Sequence, residues 1–275
     1  MSASHDMKVS IVTNAFNQGQ FLAQAIESVL SQDYADIEYM VVDPGSTDET
    51  QAVIDRYRDR IIVISEPDKG PADGLNKAFA RATGDIFGYL NADDFYLPGA
   101  VREAAEILAA LPDVDAVCAH TWIVDRDGQK LRRSHSDGVN LKRIAYGAAV
   151  QMQPSTFIRS SAYKRVGGYN IENRSNWDGE LVVDLALSGS QFKILDRFWS
   201  AYRVHGESIT GTKKLDEIIR AYKTRLFKKI MGRDRNYFDG VLRFLYLAAK
   251  YFENPAALME RVFKGPVYGR TQNKD

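Results

Sequence analysis

Between Lys8 and Asn91 the chain alternates short apolar runs with stretches of helical periodicity, and this alternation constrains its fold more than any other feature. Lys8–Thr13 (KVSIVT), Ile37–Val42 (IEYMVV), Ile61–Ser65 (IIVIS) and the run beginning at Ile86 each read as a short buried strand. Between the first two, Phe21, Leu22, Ala25, Ile26, Val29 and Leu30 recur at helical spacing, and 72–82 predicts a further helix. Ser46 with Glu49 three residues on is a capping-box pattern, which predicts a helix from there to about Tyr57. Strands joined by helices lie parallel, with right-handed crossovers and helices on both faces. The first hundred residues therefore read as an α/β nucleotide-binding half-domain.

In such a sheet, ligands bind beyond the carboxyl ends of the strands. The fourth run, Ile86-Phe87-Gly88-Tyr89-Leu90-Asn91-Ala92-Asp93-Asp94, carries an amide and two carboxylates to that place. An extended chain would turn Asn91 and Asp93 to the same side. Oxygen ligands of this kind suit Mg²⁺ or Mn²⁺, with substrate phosphates completing the shell. The alternative is a solvated acidic turn, with Asp94 helping to cap a helix begun near Pro98. Asp43 ends the second strand, where an acidic residue can hold a ribose or base edge or simply face a helix N-terminus. No Gly-x-Gly-x-x-Gly follows the first strand, and no Gly-x-x-x-x-Gly-Lys-Ser/Thr occurs, which argues against a standard dinucleotide site and a P-loop.

The second half is less regular. A helix is expected over 101–111, a strand over 114–124, and a hairpin turn at Asp127-Gly128 leading to a partner strand near Leu131. Residues 151–158 (QMQPSTFI) mix apolar and small polar side chains, as a cleft wall would. The paired glycines of 163–169 (YKRVGGY) mark a bend with close backbone approach. A helix is expected over 177–187, with Leu181, Val182 and Leu185 facing the core, and a strand over 198–204 ending at His205. The single cysteine, Cys118, excludes an internal disulfide and fits a reducing compartment. No secretion signal is evident near Met1, and no apolar run approaches the roughly 18 residues of a membrane span.

Several of these stretches together resemble glycosyltransferase family 2, whose fold is the Rossmann-like, three-layer GT-A fold. The resemblance runs through 10–19 (SIVTNAFNQG), 28–34 (SVLSQDY), 41–48 (VVDPGSTD), 65–70 (SEPDKG), Asn76-Lys77, 82–85 (ATGD) and 90–94 (LNADD), and thins from about 100 to 210. It implies an inverting, metal-dependent transfer of a sugar from a nucleoside-diphosphate sugar, with uridine or thymidine the expected base, to an acceptor hydroxyl. Thr13, Asn14 and Phe16 would line the base and Asp43 would accept from its ring NH. Asp68 and Asp73 would lie near the base or sugar, and Asn91 near the ribose or metal. Asp93 matches the metal-binding acid of the family's DxD motif; Asn91 departs from its first position, and Asp94 is an adjacent candidate ligand. The stretch from Asp178 is similar to the acceptor-side helix that opens with the base aspartate, so Asp178 is the expected general base, with Glu180 second. Gln153-Pro154-Ser155-Thr156 sits where relatives place acceptor residues, and His205 resembles a late histidine that approaches the diphosphate or metal. A sugar nucleotidyltransferase and a non-catalytic scaffold of the same fold are the alternatives. The first lacks its Gly-rich, Arg-containing start; the second has Asn91 as its only support.

Residues 211–275 hold 15 Lys/Arg against 7 Asp/Glu in a chain of zero formal net charge. Leu215, Ile218, Ile219, Tyr222, Leu226 and Ile230 are helically spaced among basic residues, and 241–251 (VLRFLYLAAKY) is a second amphipathic stretch. The expectation is a catalytic domain over 1–210, its nucleotide half at about 7–100 and acceptor half at 101–210, followed by a basic helical extension over 211–275. That extension either packs on the domain or makes a peripheral membrane contact through 213–251, as basic amphipathic helices do on anionic lipid. A lipid-linked or glycan acceptor in polysaccharide assembly, at the cytoplasmic side of a membrane, would follow from the family. No nucleic-acid partner is expected, because the catalytic half is acidic and carries no such motif.

Overall fold

A computed structural model of the chain describes residues 7–205 and 214–265. The expected alternation is realised as strand β1 (Val9–Asn14), helix α1 (Gly19–Leu30), β2 (Ile37–Val42), α2 (Thr50–Arg56), β3 (Ile62–Ile64), α3 (Pro71–Arg81) and β4 (Ile86–Asn91). These four strands are parallel in the order β3-β2-β1-β4. Side chains alternate along β1. Val9 and Ile11 pack with Leu22, Ile26 and Val29 of α1 on one face of the sheet. Val12 packs with Leu75, Ala78 and Phe79 of α3 on the other. Each of the buried Val, Leu, Ile and Phe side chains contributes on the order of 1.5–3 kcal/mol, so both faces must be covered for the sheet to stand.

The sheet continues through the second half. After β5 (Phe95–Tyr96) and α4 (Ala100–Ala110) come β6 (Ala116–Val124), β7 (Lys130–Ser134), α5 (Leu141–Ala145), a 3₁₀ turn at Gln153–Ser155, β8 (Thr156–Arg159), α6 (Ser160–Arg165), α7 (Trp177–Leu187) and β9 (Phe192–Arg203). The order runs on as β4-β8-β6-β9-β5, with β7 paired to β6. Strand β8 is antiparallel to both β4 and β6, and β9 is parallel to β6. The hairpin at Asp127-Gly128 forms as expected, Gly128 adopting the positive φ of 84° that the turn requires. Mixed strands at one end of a parallel sheet, between helical layers, make this the expected three-layer α/β architecture.

Three local expectations need correction. Helix α2 starts at Thr50, not Ser46: the Ser46 hydroxyl donates to Asp43, while the Thr50 N–H is taken by Asp48. Strand β9 starts at Phe192, not Phe198, because a register shift against β6 near His120 and the exposed pair Asp196-Arg197 break the apolar pattern there. Strand β4 stops at Asn91 and the chain turns at Ala92-Asp93, so Asn91 and Asp93 do not continue one strand face.

The C-terminal stretch forms α8 (Lys214–Met231), α9 (Asp239–Glu253) and an unforeseen α10 (Pro255–Lys264). Tyr222 and Leu226 of α8 are buried against Val183 of α7, and Phe227 against Tyr146. Lys250 of α9 pairs with Asp137 at 2.8 Å, and Arg233 with Asp239 at 2.7 Å. The Arg233 guanidinium is the main cause that holds the Asp239 carboxyl below the usual carboxylate range. Thus α8 packs on the preceding fold, while α9 keeps Phe244 at 71% exposure and α10 keeps Phe263 at 77%. Leu215 lies outside the residues whose side chains are described, as does the stretch beyond His205 that carried part of the late motif.

Candidate active site

Two concavities are lined by residues of the sheet and its loops. The smaller, about 310 Å³, is lined by Asn14, Ala15, Phe16, Pro44, Pro67, Asp68, Gly70 and Pro71 at the ends of β1 and β3. The Asn14 amide nitrogen donates to the Pro71 carbonyl at 2.9 Å, and its oxygen is buried without a protein partner. A buried unsatisfied acceptor of this kind costs stability unless a ligand fills it. Phe16 is 58% exposed at the rim, an aromatic face available for stacking. Burial pushes the Asp68 carboxyl up, while one of its oxygens accepts from the Gly70 N–H at 2.8 Å. Helix α3 packs closely here: a Cβ on Gly74 would stand 2.7 Å from Asp68 Oδ2 and 3.3 Å from Asn14 Oδ1.

Other residues expected around the nucleotide are not at this surface. Thr13 is fully buried on the opposite side of β1, accepting from the Tyr39 hydroxyl at 3.0 Å, because alternate residues of a strand face opposite ways. Asp43 is also fully buried. It accepts from the Ser46 N–H at 2.9 Å, the Ser46 hydroxyl at 2.7 Å and the Gly45 N–H at 3.2 Å, and from the Gln51 amide. Its role within the chain is to tie the β2 turn. Asp73 faces outward in the first turn of α3, where the Lys69 N–H, first, and Lys77 at 3.2 Å lower its pKa.

At the end of β4, Asp93 meets His205, with Oδ2 and Nε2 3.1 Å apart. The Asp93 side chain is 21% exposed and that of His205 1%. The imidazole packs against Phe21 at 4.7 Å between ring centres. Among the described residues no group of three His, Cys, Asp or Glu side chains converges as a ready-made metal set. The Asp93–His205 pair nevertheless fits a divalent cation that takes its remaining ligands from a diphosphate, since one or two protein ligands are enough for Mg²⁺ or Mn²⁺ there. Asp94 does not fit this role. It is 1% exposed, with Oδ1 accepting from the Arg203 N–H and Oδ2 from the Asn91 amide, both at 2.9 Å. Burial first, and the Asp93 charge second, drive its pKa well up. The helix-capping alternative for Asp94 is also excluded, since α4 begins after Gly99.

The sequence reading missed the residue that holds this turn, Arg203. It is 2% exposed; its Nε donates to the Asp93 carbonyl at 2.8 Å, and its other nitrogens reach the Asp125 and Arg126 carbonyls and the Gln24 side chain. A lone arginine within the apolar run FWSAYRV was the signal available for it. Asn91, the departure from the family motif, also has a structural account. Its amide donates to Asp94 and, at 3.2 Å, to Gln153, while its oxygen accepts from the Tyr89 hydroxyl. A carboxylate could not donate to Asp94.

The larger concavity, about 610 Å³, is lined at β4 by Phe87 and Tyr89. Its walls include Tyr89, Gln153, Tyr163, Tyr169 and Asp178, and it is completed by residues of α8 and α9. Asp178 lies in the first turn of α7, partly exposed to the cavity yet enclosed by protein. Burial raises its pKa; N–H groups of Gly179 and Asp178 act in the opposite direction. Glu180, the second choice, is 3% exposed, bound by Asn170 and Asn173 and paired with Arg225 at 2.6 Å, so its work is structural. Tyr89 lines this cavity, and after burial the charges of Asp178, Asp94 and Asp93 all raise its hydroxyl pKa.

Comparisons with known proteins agree with this fold. The model of Glycosyl transferase family 2 matches residues 10–167, more than half of the chain. An uncharacterized glycosyltransferase of Nostoc sp., alr2836, is 29% identical over 213 residues, covering 73% of this chain and 66% of its own length. The chain spans only 30% of the chondroitin synthase of Escherichia coli, to which it is 27% identical. Among solved structures, S. aureus TarS 1-349 in complex with UDP shares the fold with a TM-score of 0.63 at 20% identity, covering 94% of this chain and 74% of that one. The mannosyltransferase PcManGT of Pyrobaculum calidifontis, in complex with GDP-Man and Mn²⁺, gives 0.64 at 18% identity, covering 94% and 75%. The parallel sheet with its mixed far edge is thus the GT-A fold, and the chain belongs to glycosyltransferase family 2.

Proposed function

We propose that the chain transfers a sugar, with inversion, from a nucleoside-diphosphate sugar to an acceptor hydroxyl. The observation that carries this reading is the Asp178 carboxyl on the wall of the large cavity, raised in pKa by burial and paired with no basic side chain among the described residues. A carboxylate of raised basicity is a better proton acceptor at neutral pH, and a positioned base is worth on the order of 10²–10⁴ in rate. Asp178 removes the proton of the acceptor hydroxyl as the oxygen attacks the anomeric carbon. Attack from the acceptor side, opposite the nucleotide, inverts that centre and needs no enzyme nucleophile.

The donor's base fits the smaller cavity, where Phe16 offers a ring face, Asn14 an unsatisfied oxygen and Asp68 an acceptor. A ring NH donating to Asn14 Oδ1 or Asp68 suits uracil or thymine, and the UDP bound by TarS is in keeping with a uridine donor. Asp93 and His205 would hold Mg²⁺ or Mn²⁺ at the diphosphate, as the Mn²⁺ complex of PcManGT suggests by analogy. That ion, when bound, supplies Lewis-acid stabilisation of the leaving diphosphate.

Glycan or polysaccharide assembly at the cytoplasmic face of a membrane, with a glycan or lipid-linked acceptor, is the setting this reading favours. No described helix is long and apolar enough to cross a bilayer. A peripheral contact through 213–251 is supported by the exposed Val241, Phe244 and Leu245 of α9 beside Arg243. In domain terms, 1–210 carries the donor site and Asp178, and 211–275 adds helices that close the acceptor side.

The test is Asp178→Asn. It is expected to abolish transfer from the donor while nucleotide binding, read by thermal shift with Mn²⁺, stays at the wild-type level. Transfer at the wild-type rate in that variant would remove Asp178 from the chemistry.

A further inference from the structure

The described cations of α8, α9 and the turn between them fall into two groups. On α8, Arg225 pairs with Glu180, Lys229 with Asp184 at the same turn, and Lys228 with Asp234 at 3.1 Å. Arg233, just after the helix, pairs with Asp239. Arg220 and Lys223, one turn apart on α8, and Arg243 on α9 have no acidic partner among the described residues, and all three line the 610 Å³ cavity. Arg235 lines it too; it gives one N–H to the Ala145 carbonyl at 2.9 Å and lies over the Phe227 ring at 4.3 Å, again with no acidic partner among the described residues. Asp178 is the one carboxylate among the described lining residues, where four positive charges face it.

A generic basic face would distribute its charges evenly into solvent. Here the cations beside α7 are neutralised by its acids, while four exposed cations that line one cavity have no acidic partner among the described residues. Like charges held together repel, and an anion placed among them removes that cost and gains charge-assisted hydrogen bonds. Guanidinium groups offer paired N–H donors suited to phosphate oxygens. The remaining wall mixes aromatic and apolar side chains, including Tyr146, Tyr163, Tyr222 and Leu226, with the amides of Gln151, Gln153 and Asn176, which suits a sugar ring.

We propose that the acceptor carries a phosphate, and that Arg220, Lys223, Arg235 and Arg243 bind it while its hydroxyl is presented to Asp178. This rests on the glycosyl-transfer reading above and adds the chemical class of the acceptor. The extension over 211–275 is then part of the substrate site rather than an appendage. The phosphate belongs either to a lipid-linked glycan or to a soluble sugar phosphate or phosphate-bearing polymer; the recognition chemistry is the same.

The experiment measures binding of hexyl phosphate, hexyl β-glucoside and glucose 1-phosphate to the full chain by calorimetry at two salt concentrations. The two phosphates are expected to bind at least tenfold more tightly than the neutral glucoside, with an affinity that falls as salt rises. Tighter binding of hexyl phosphate than of glucose 1-phosphate supports the lipid-linked source, and the reverse order the soluble one. The single variants Arg243→Gln and Lys223→Gln are each expected to weaken phosphate binding about tenfold, the size of one charge-assisted contact, with the nucleotide thermal shift in Mn²⁺ retained. Equal binding of the glucoside and the phosphates overturns the proposal, as does unchanged phosphate binding in both variants. Loss of the nucleotide shift in those variants also overturns it, by assigning the cations to the donor diphosphate. Absence of any nucleotide shift in the wild type strikes instead at the glycosyl-transfer reading.

Discussion

Replacing Arg203 by lysine keeps the charge and most of the volume but removes the fork that holds the acidic turn. In the native site the guanidinium donates to the carbonyls of Asp93, Asp125 and Arg126 and to the Gln24 side chain, and the residue is 2% exposed. A single ammonium can serve the Asp93 side or the Asp125–Arg126 side, not both. At least two of these four partly buried acceptors are then left without their charged donor. A hydrogen bond to a charged group is worth about 1.5–3 kcal/mol, and partial relaxation returns some of it, so the net cost should be about 3 kcal/mol. For a domain of this size that is a fall in melting temperature of about 6–12 °C. Urea denaturation of both proteins measures the first figure. The second consequence concerns function: with the Asp93 carbonyl released, Mn²⁺-dependent stabilisation by nucleoside diphosphate should shrink more than binding without metal. An Arg203→Lys variant within about 0.5 kcal/mol of wild type, with its full Mn²⁺-dependent shift, would refute the positioning role.

Three other outcomes are expected. Asn91→Asp replaces a donor with a second carboxylate 2.9 Å from Asp94, whose pKa burial already raises. It should destabilise by about 2 kcal/mol at pH 8 and much less at pH 5, because acids raised in pKa lose stability as pH rises; urea midpoints at both pH values check this. His120 and His135, in ring contact at 4.5 Å, are both held below their ordinary pKa of 6.5, mainly by burial. Their contribution is present above pH 6.5 and lost as pH falls below it, since the unfolded chain then binds more protons; the wild-type loss between pH 7.5 and 5.5 should exceed that of His135→Gln. Finally, Asp178→Asn should melt higher than wild type at pH 8, because the raised carboxyl pKa means that the ionised form costs folding energy there; an unchanged or lower melting temperature would count against the burial described.

The nucleotide half was legible because its signals are local and periodic. Strand β2 and helix α7 fall on the expected residues, and β1, α1, α3 and β4 within one or two of them. What was not legible depends on tertiary choices. Ser46 carries a capping-box pattern, yet its hydroxyl is claimed by Asp43 across the β2 turn. Thr13 and Asn14 are neighbours in sequence, but the strand sends one into the core and the other to the smaller cavity. The Asp94 carboxylate looks like a second metal ligand until Arg203, more than a hundred residues later, is seen to occupy one of its oxygens through the backbone. The division of α8 cations into paired and unpaired sets appears only once Glu180 and Asp184 of α7 are placed beside them. Composition alone showed a basic tail; the packing of Tyr222, Leu226 and Phe227 shows which side of it faces the site.

The central claim is metal-assisted transfer from a nucleoside-diphosphate sugar through Asp93 and Asp178, and release of nucleoside diphosphate tests it most directly. The full chain would be incubated with a panel of uridine-, thymidine- and guanosine-diphosphate sugars, with and without Mn²⁺, beside Asp93→Ala. The account predicts release from one donor class, dependent on Mn²⁺ and abolished in the variant. Release that is unchanged in Asp93→Ala, or no release and no nucleotide-induced stabilisation with any donor, would contradict it.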